Sequence, residues 1–298
     1  MMRKTLVGIA LLALLTPLAS AQTVDELIAK NIEARGGMAK LKAVQSLRAT
    51  GKMIGGPGME FPLVMVSKRP NNTRIEFTIQ GMAGIQAYDG KTAWASMPFM
   101  GKKDPEAMPA DDARLFIENA DMDGPLVDYK QKGHAVELIG KEQVEGADAY
   151  KLKVTLKGGD VRYIYLDAET YLEIKGEGKI TMRGTEVETE SFLGDYKEVG
   201  GLMMAHAMEQ GMKGNPQRRK IVIEKVEMNT EIPDSLFAMP VTAADSSKAA
   251  VAATAAGAAT KDAAKPVVKT AEVVGKVAGT GVQAVVKADS TKAGKKKK

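Results

Sequence analysis

The chain contains no cysteine. Disulfides, thiol catalysis and cysteine-based metal sites are therefore excluded. Histidine is almost as scarce: the only two, His134 and His206, lie far apart in sequence. Gly-x-Ser-x-Gly, His-Glu-x-x-His and a phosphate-cradling glycine loop ahead of a helix are all missing. With no nucleophile–base pair legible, an enzyme is the least expected class, and no cofactor is expected. Aromatic residues make up only 5% of the chain, whereas methionine numbers 18.

Long apolar runs are lacking too. Leu6 to Leu15 is apolar but too short to span a bilayer. It follows Arg3 and Lys4 and precedes Ala19-Ser20-Ala21, the order of a secretory signal, so residues 1–21 read as a signal peptide cleaved after Ala21. No cysteine follows the cleavage site to carry a lipid. Export without disulfides suits a bacterial envelope protein stabilised by its core alone.

The formal net charge of +5 is a sum of unlike parts. Residues 241–298 hold eleven lysines against four acids, end in Lys295 to Lys298, and are otherwise mostly Ala, Val, Thr and Gly. That composition reads as a disordered basic tail. Such a tail is either a solvated extension or a tether to an anionic envelope surface. The remaining 29 basic and 33 acidic residues of 22–240 balance to −4, so nothing in this body points to nucleic acid.

Thr23-Val24-Asp25-Glu26 is a capping box, and Val24, Leu27, Ile28 and Ile32 continue at helical spacing until Gly36-Gly37. Met38, Leu41 and Val44 predict a second short helical turn. From about Ser46 the period becomes two. Ile75, Phe77 and Ile79 alternate with Arg74, Glu76 and Thr78; Tyr150, Leu152, Val154 and Leu156 alternate with Lys151, Lys153 and Thr155. Further runs, separated by turn signals such as Asp89-Gly90 and Gly200-Gly201, bring the total to eleven or twelve strands, mostly antiparallel neighbours. Pro98 to Lys132 interrupts the rhythm. Pro109 there suits the first position of a short helix, with Asp111 and Asp112 in its first turn rather than serving as paired catalytic acids. A second helical turn is expected near 125–130. Ile232 to Phe237 reads as a closing turn that plugs Phe237 into the core.

Each alternating strand puts two to four apolar side chains on one face. Burying a large aliphatic side chain is worth about 1.5–3 kcal/mol, so a dozen left wet would exceed the roughly 5–15 kcal/mol stability of a domain. Something must cover them. One solution is a closed barrel; the other is a curled half-barrel lidded by the N-terminal helix and the 98–132 insert, which opens into an apolar trough. Its expected lining is Phe77, Ile79, Trp94, Leu152, Val154 and Leu156. Methionine, flexible and adaptable, suits such walls and also fills ordinary cores. Met204, His206 and Met208 share one strand face, a soft donor set for Cu(I), although a trough- or core-facing strand with a satisfied histidine explains them far more simply. Three readings result: a carrier, an interaction protein docked by its tail, and a copper-binding protein.

Lys68-Arg69-Pro70-Asn71, Asp89-Gly90-Lys91-Thr92-Ala93-Trp94 and Pro98-Phe99 resemble the periplasmic lipoprotein carriers of the LolA family. Asp195-Tyr196, Gly200-Gly201 and the Phe237 segment resemble the wider LolA/LolB-like superfamily. The likeness covers most of 23–240; the tail falls outside it. It implies a mainly β fold with a helical lid: an incomplete antiparallel barrel of about eleven strands wrapping an N-terminal helix and a short helical insert. It also implies a periplasmic location, carriage of lipoprotein acyl chains or another envelope lipid, and inner-membrane donor and outer-membrane acceptor proteins as partners. The family's lid-contacting arginine corresponds to Arg69.

Overall fold

The computed structural model describes residues 22–241 apart from 57, 183 and 184. The signal read over 1–21 and the basic tail after Val241 lie outside the described residues. Helix α1 (Val24–Ala34) begins at the expected capping box, with Thr23 Oγ1 accepting from the Glu26 N–H and Glu26 Oε2 accepting from the Thr23 N–H. Gly36, at φ +116°, ends it by adopting a backbone that side-chain-bearing residues avoid. Helix α2 (Met38–Ala43) follows.

Thirteen strands then form one open antiparallel sheet, the incomplete barrel that the resemblance implies and one of the two solutions the alternation leaves. They are β1 (Ser46–Gly56), β2 (Met59–Lys68), β3 (Asn72–Ile79), β4 (Met82–Tyr88), β5 (Ala93–Met97), β6 (Lys102–Ala107), β7 (Ala135–Val144), β8 (Ala147–Thr155), β9 (Val161–Asp167), β10 (Glu173–Met182), β11 (Thr185–Val199), β12 (Leu202–Met212) and β13 (Arg219–Met228). The order across the sheet is β6-β5-β4-β3-β2-β1-β13-β12-β11-β10-β9-β8-β7. The first and last strands pair in its middle, from Leu47 opposite Met228 to Ile54 opposite Lys220. The free edges are therefore β6 and β7. The chain between them carries helix α3 (Ala110–Glu118).

Twelve of these strands coincide with period-two runs; β6 does not. Its sequence, Lys-Lys-Asp-Pro-Glu-Ala, has no apolar alternation, and only an edge strand tolerates Pro105 and so many charges. In α3, Pro109 is the N-cap rather than the first helical residue, and Asp111 and Asp112 occupy the first turn as expected. Near 125–130 the expected helical turn does not extend into a helix: the segment is a run of turns, one closed by the Lys132 N–H donating to the Asp128 carbonyl at 2.9 Å, with Asp128 at φ +54° between Gly124 and Gly133.

All three helices lie on one face of the sheet, hereafter the inner face. Leu27 and Ile28 of α1 pack with Leu126, Leu152, Val154, Leu156, Ile164 and Leu166. Leu41 of α2 and the following Val44 pack with Val127 and Leu202. Ala113, Phe116 and Ile117 of α3 pack around Tyr88, Ala93 and Ala120. The outer face is covered over β2 by the segment after β13, where Ile232 and Phe237 bury Val66.

Candidate functional site

Strand pairing decides which residues share the inner face. Phe77 lies opposite Leu63 and Gly84, and Ile79 lies opposite Met82. Met65 pairs with Ala49 and Ile75, while Met53 pairs with Phe61 and Ile221. Met208 faces Leu193 and Ile221. Phe61, Ile75, Phe77, Ile79, Met53, Met65, Met82 and Met208 are all half-buried. None belongs to the three buried clusters under the helices. The inner face thus has a part packed beneath the helices and an apolar part only partly covered, rich in methionine. Gly84 serves that second part directly. A Cβ there would meet the Phe99 ring at 2.7 Å and the Phe77 ring at 3.0 Å, so glycine lets these rings approach to a 5.7 Å centroid separation.

The expected lining residues divide accordingly. Phe77 and Ile79 fall on the half-buried part. Leu152, Val154 and Leu156 are on the inner face but fully packed against α1 and Leu126, where they are core. Trp94 is on the other side of the sheet, which corrects its assignment to the trough. Its neighbour Ala93 faces α3, so Trp94 points outward, where its Nε1 donates to the Phe237 carbonyl at 2.8 Å and the residue is wholly buried. Phe237 does plug a core, but the outer one.

Arg69 joins three elements. Nε donates to the Val44 carbonyl at 2.7 Å and Nη2 to the Leu41 carbonyl at 3.0 Å, satisfying the open end of α2. Nη1 and Nη2 also grip both oxygens of Asp123, at 3.0 and 2.6 Å, in the connection after α3. Lys42 reaches Asp123 at 2.6 Å and Asp128 at 2.7 Å. Burial pushes the Asp123 carboxyl up, but the hydrogen bonds from Arg69 and Lys42 outweigh it and hold the pKa at about 2. The arginine assigned to a lid contact therefore clamps the covering segments to the end of β2. Asp123, its partner, carried no signal in the sequence. At the other side α3 is tied down by Arg162, which donates to Glu118 and Asn119, each at 2.9 Å, and by the Arg114–Asp160 ion pair.

Met204, His206 and Met208 do share the inner face of β12. Met204 packs against the α2 cluster, and buried His206 has Nδ1 2.9 Å from the Met204 carbonyl oxygen. No cluster of three or more His, Asp or Glu suited to a metal occurs among the described residues. Among the described residues, the cavities of about 90 Å³ under Leu236 on the outer face and about 70 Å³ between α3 and the β10–β11 hairpin are small. Both fall short of the roughly 300–1,000 Å³ usual for ligand pockets, and neither lies on the half-buried apolar surface.

The chain is similar to solved structures of the LolA superfamily. A LolA superfamily protein of Nitrosomonas europaea is 14% identical, over 73% of this chain and 98% of that one, with a TM-score of 0.49. A putative outer membrane lipoprotein-sorting protein domain of Vibrio parahaemolyticus is 14% identical, over 70% and 94%, with the same TM-score of 0.49. A DUF1329 family protein of Desulfovibrio piger is 13% identical, over 73% and 98%, at 0.47. No family model matches the chain, and no curated protein matches it.

Proposed function

We propose that this protein is an exported carrier that takes up acyl chains on the half-buried inner face of its open barrel. The observation that supports this most is the apolar surface around Phe77, Ile79, Met65, Met82 and Met208, which the packed clusters leave only partly covered. Methionine conforms to irregular hydrocarbon, so one such face accommodates different chains. The process is partition rather than reaction. Each buried methylene is worth about 0.8 kcal/mol, enough for a sixteen-carbon chain to offset its own ordering and the displacement of cover. The half-buried part takes up a chain first, and drawing it further beneath the helices requires α3 and the connection after it to shift. The Arg69–Asp123 clamp holds that cover in place without ligand.

The cargo in this reading is the acyl part of a lipoprotein, or another envelope lipid, moved across the periplasm toward the outer membrane. An inner-membrane donor and an outer-membrane acceptor are its partners. The test is native mass spectrometry of the protein purified from its own envelope, alongside an Ile79→Glu variant. Co-purifying lipid or acylated protein is expected on the native chain and loss of it on the variant. A native protein that never carries acyl chains overturns the reading.

A further inference from the structure

Glu173 is a carboxylate on the wrong side of its strand. It pairs with Leu166, a residue of the α1 core, whereas Lys175 pairs with Tyr165, and a bulge lies between the two. The bulge turns Glu173 to the inner face, while Lys175 and Glu177 stay outside in an ion-paired network. Among the described residues no hydrogen bond or ion pair reaches the Glu173 side chain; only its main-chain carbonyl is used, by the Tyr196 hydroxyl at 2.6 Å. The surrounding floor has been cleared. Gly176 and Gly178 face inward on β10, opposite Ser191 and Thr189 of β11. A Cβ at Gly176 would stand 2.9 Å from Ser191 Oγ and 3.5 Å from Glu173 Oε1. The two glycines thus add no side chain of their own beside the carboxylate, and the Ser191 hydroxyl and the Arg162 side chain border the gap they leave.

Among the described residues, three charged or titratable groups face Glu173. They are Arg35 after α1, Arg162 on β9 and Tyr196 on β11. Arg162 is spent on Glu118, and Arg35 donates to the neutral Asp123 carbonyl, so neither neutralises Glu173 by contact. Burial lifts the carboxyl to about 7 despite the two arginines, yet the residue keeps partial exposure. A group deep among protein atoms yet not sealed from solvent has both properties. An unpartnered carboxylate here is costly unless something else supplies its donor.

The geometry points to a headgroup subsite: Glu173, above the Gly176–Gly178 floor, receives the ammonium of an amine-bearing lipid whose chains lie on the apolar inner face. The guanidinium of Arg35 then offers the opposite pole to the phosphate of the same headgroup. This inference rests on the carrier reading and deepens it, because it names which lipids the face prefers.

The test is headgroup competition. The full secreted chain is equilibrated with vesicles of equal parts phosphatidylethanolamine and phosphatidylglycerol bearing identical acyl chains. It is then re-isolated and its bound lipid is measured by mass spectrometry. The native protein is expected to enrich the ethanolamine lipid about tenfold, the scale of one hydrogen bond to a charged group. Glu173→Gln is expected to bring the ratio to parity by removing the charge at constant shape. Gly176→Ala, which fills the floor, is expected to do the same and stands in should the first variant not fold. Equal uptake of both lipids by the native protein, or undiminished enrichment in the variants, overturns the subsite and leaves the carrier reading intact. Uptake of neither lipid overturns both.

Discussion

Arg69 holds Asp123 by two parallel hydrogen bonds, and the carboxylate is almost entirely buried, its side chain 4% exposed. The pair connects the end of β2 to the segment that crosses between the sheet edges. Removing one partner of such a pair strands the other, so Asp123→Asn is expected to cost about 3–5 kcal/mol in urea denaturation at pH 7.

The same pair sets the acid limb of stability. Asp123 has a folded pKa of about 2, below its unfolded value of 3.8, so its contribution is fully present above pH 3.8. That contribution is lost as pH falls through 2. Denaturation midpoints of the native protein should drop across this window, and those of Asp123→Asn should drop less.

Glu173 has the opposite sign. Its folded pKa of about 7 lies above the ordinary 4.5, so between those values the unfolded chain ionises first and folding loses stability as pH rises. Above pH 7 the penalty is constant. Glu173→Gln is expected to be more stable than the native protein by roughly 1–3 kcal/mol at pH 8 and indistinguishable near pH 4. A stabilising substitution on an inner face is what a group kept for binding would show. Equal stability at both pH values would argue for a partner satisfying Glu173 within the folded protein.

Trp94 is the only tryptophan and reports on the outer face alone. Lipid uptake on the inner face is expected to leave its emission unchanged. Truncation after Glu231 removes Ile232 and Phe237 and should shift that emission to the red by admitting water. A lipid-dependent shift in the intact protein would place the ligand against the outer face instead.

Leu152 separates core from binding surface. Fully buried beneath α1, it should cost about 2–5 kcal/mol on substitution by alanine while lipid uptake persists. Ile79→Glu should do the reverse, with little loss of stability and marked loss of uptake.

Residues 22–241 were legible to different depths. The capping box at Thr23, the stop at Gly36 and twelve strands follow from near-neighbour spacing, because helix and strand periods are local properties. Even so, alternation shows that two faces differ without saying which is inner, so Trp94 and Phe77 look alike until pairing across β4 and β5 separates them. Nor does it separate Leu152 from Ile79, since whether a helix covers an inward residue depends on where the chain returns. The β6 strand was hidden for a related reason, since an edge needs no apolar face.

By itself, then, the amino-acid order determined the helices and twelve of the strands, their antiparallel succession and the need to cover one side of the sheet. Only the tertiary structure decided three things. The pairing of β1 with β13 placed the free edges at β6 and β7. A bulge after Glu173 turned a charge that strict alternation would face outward into the interior. Folding brought Arg69 onto Asp123 across 54 residues of chain. The physical reason is shared: periodicity is set by bond geometry over a few residues, whereas register, bulges and ion pairs are set by whichever distant segment packs alongside.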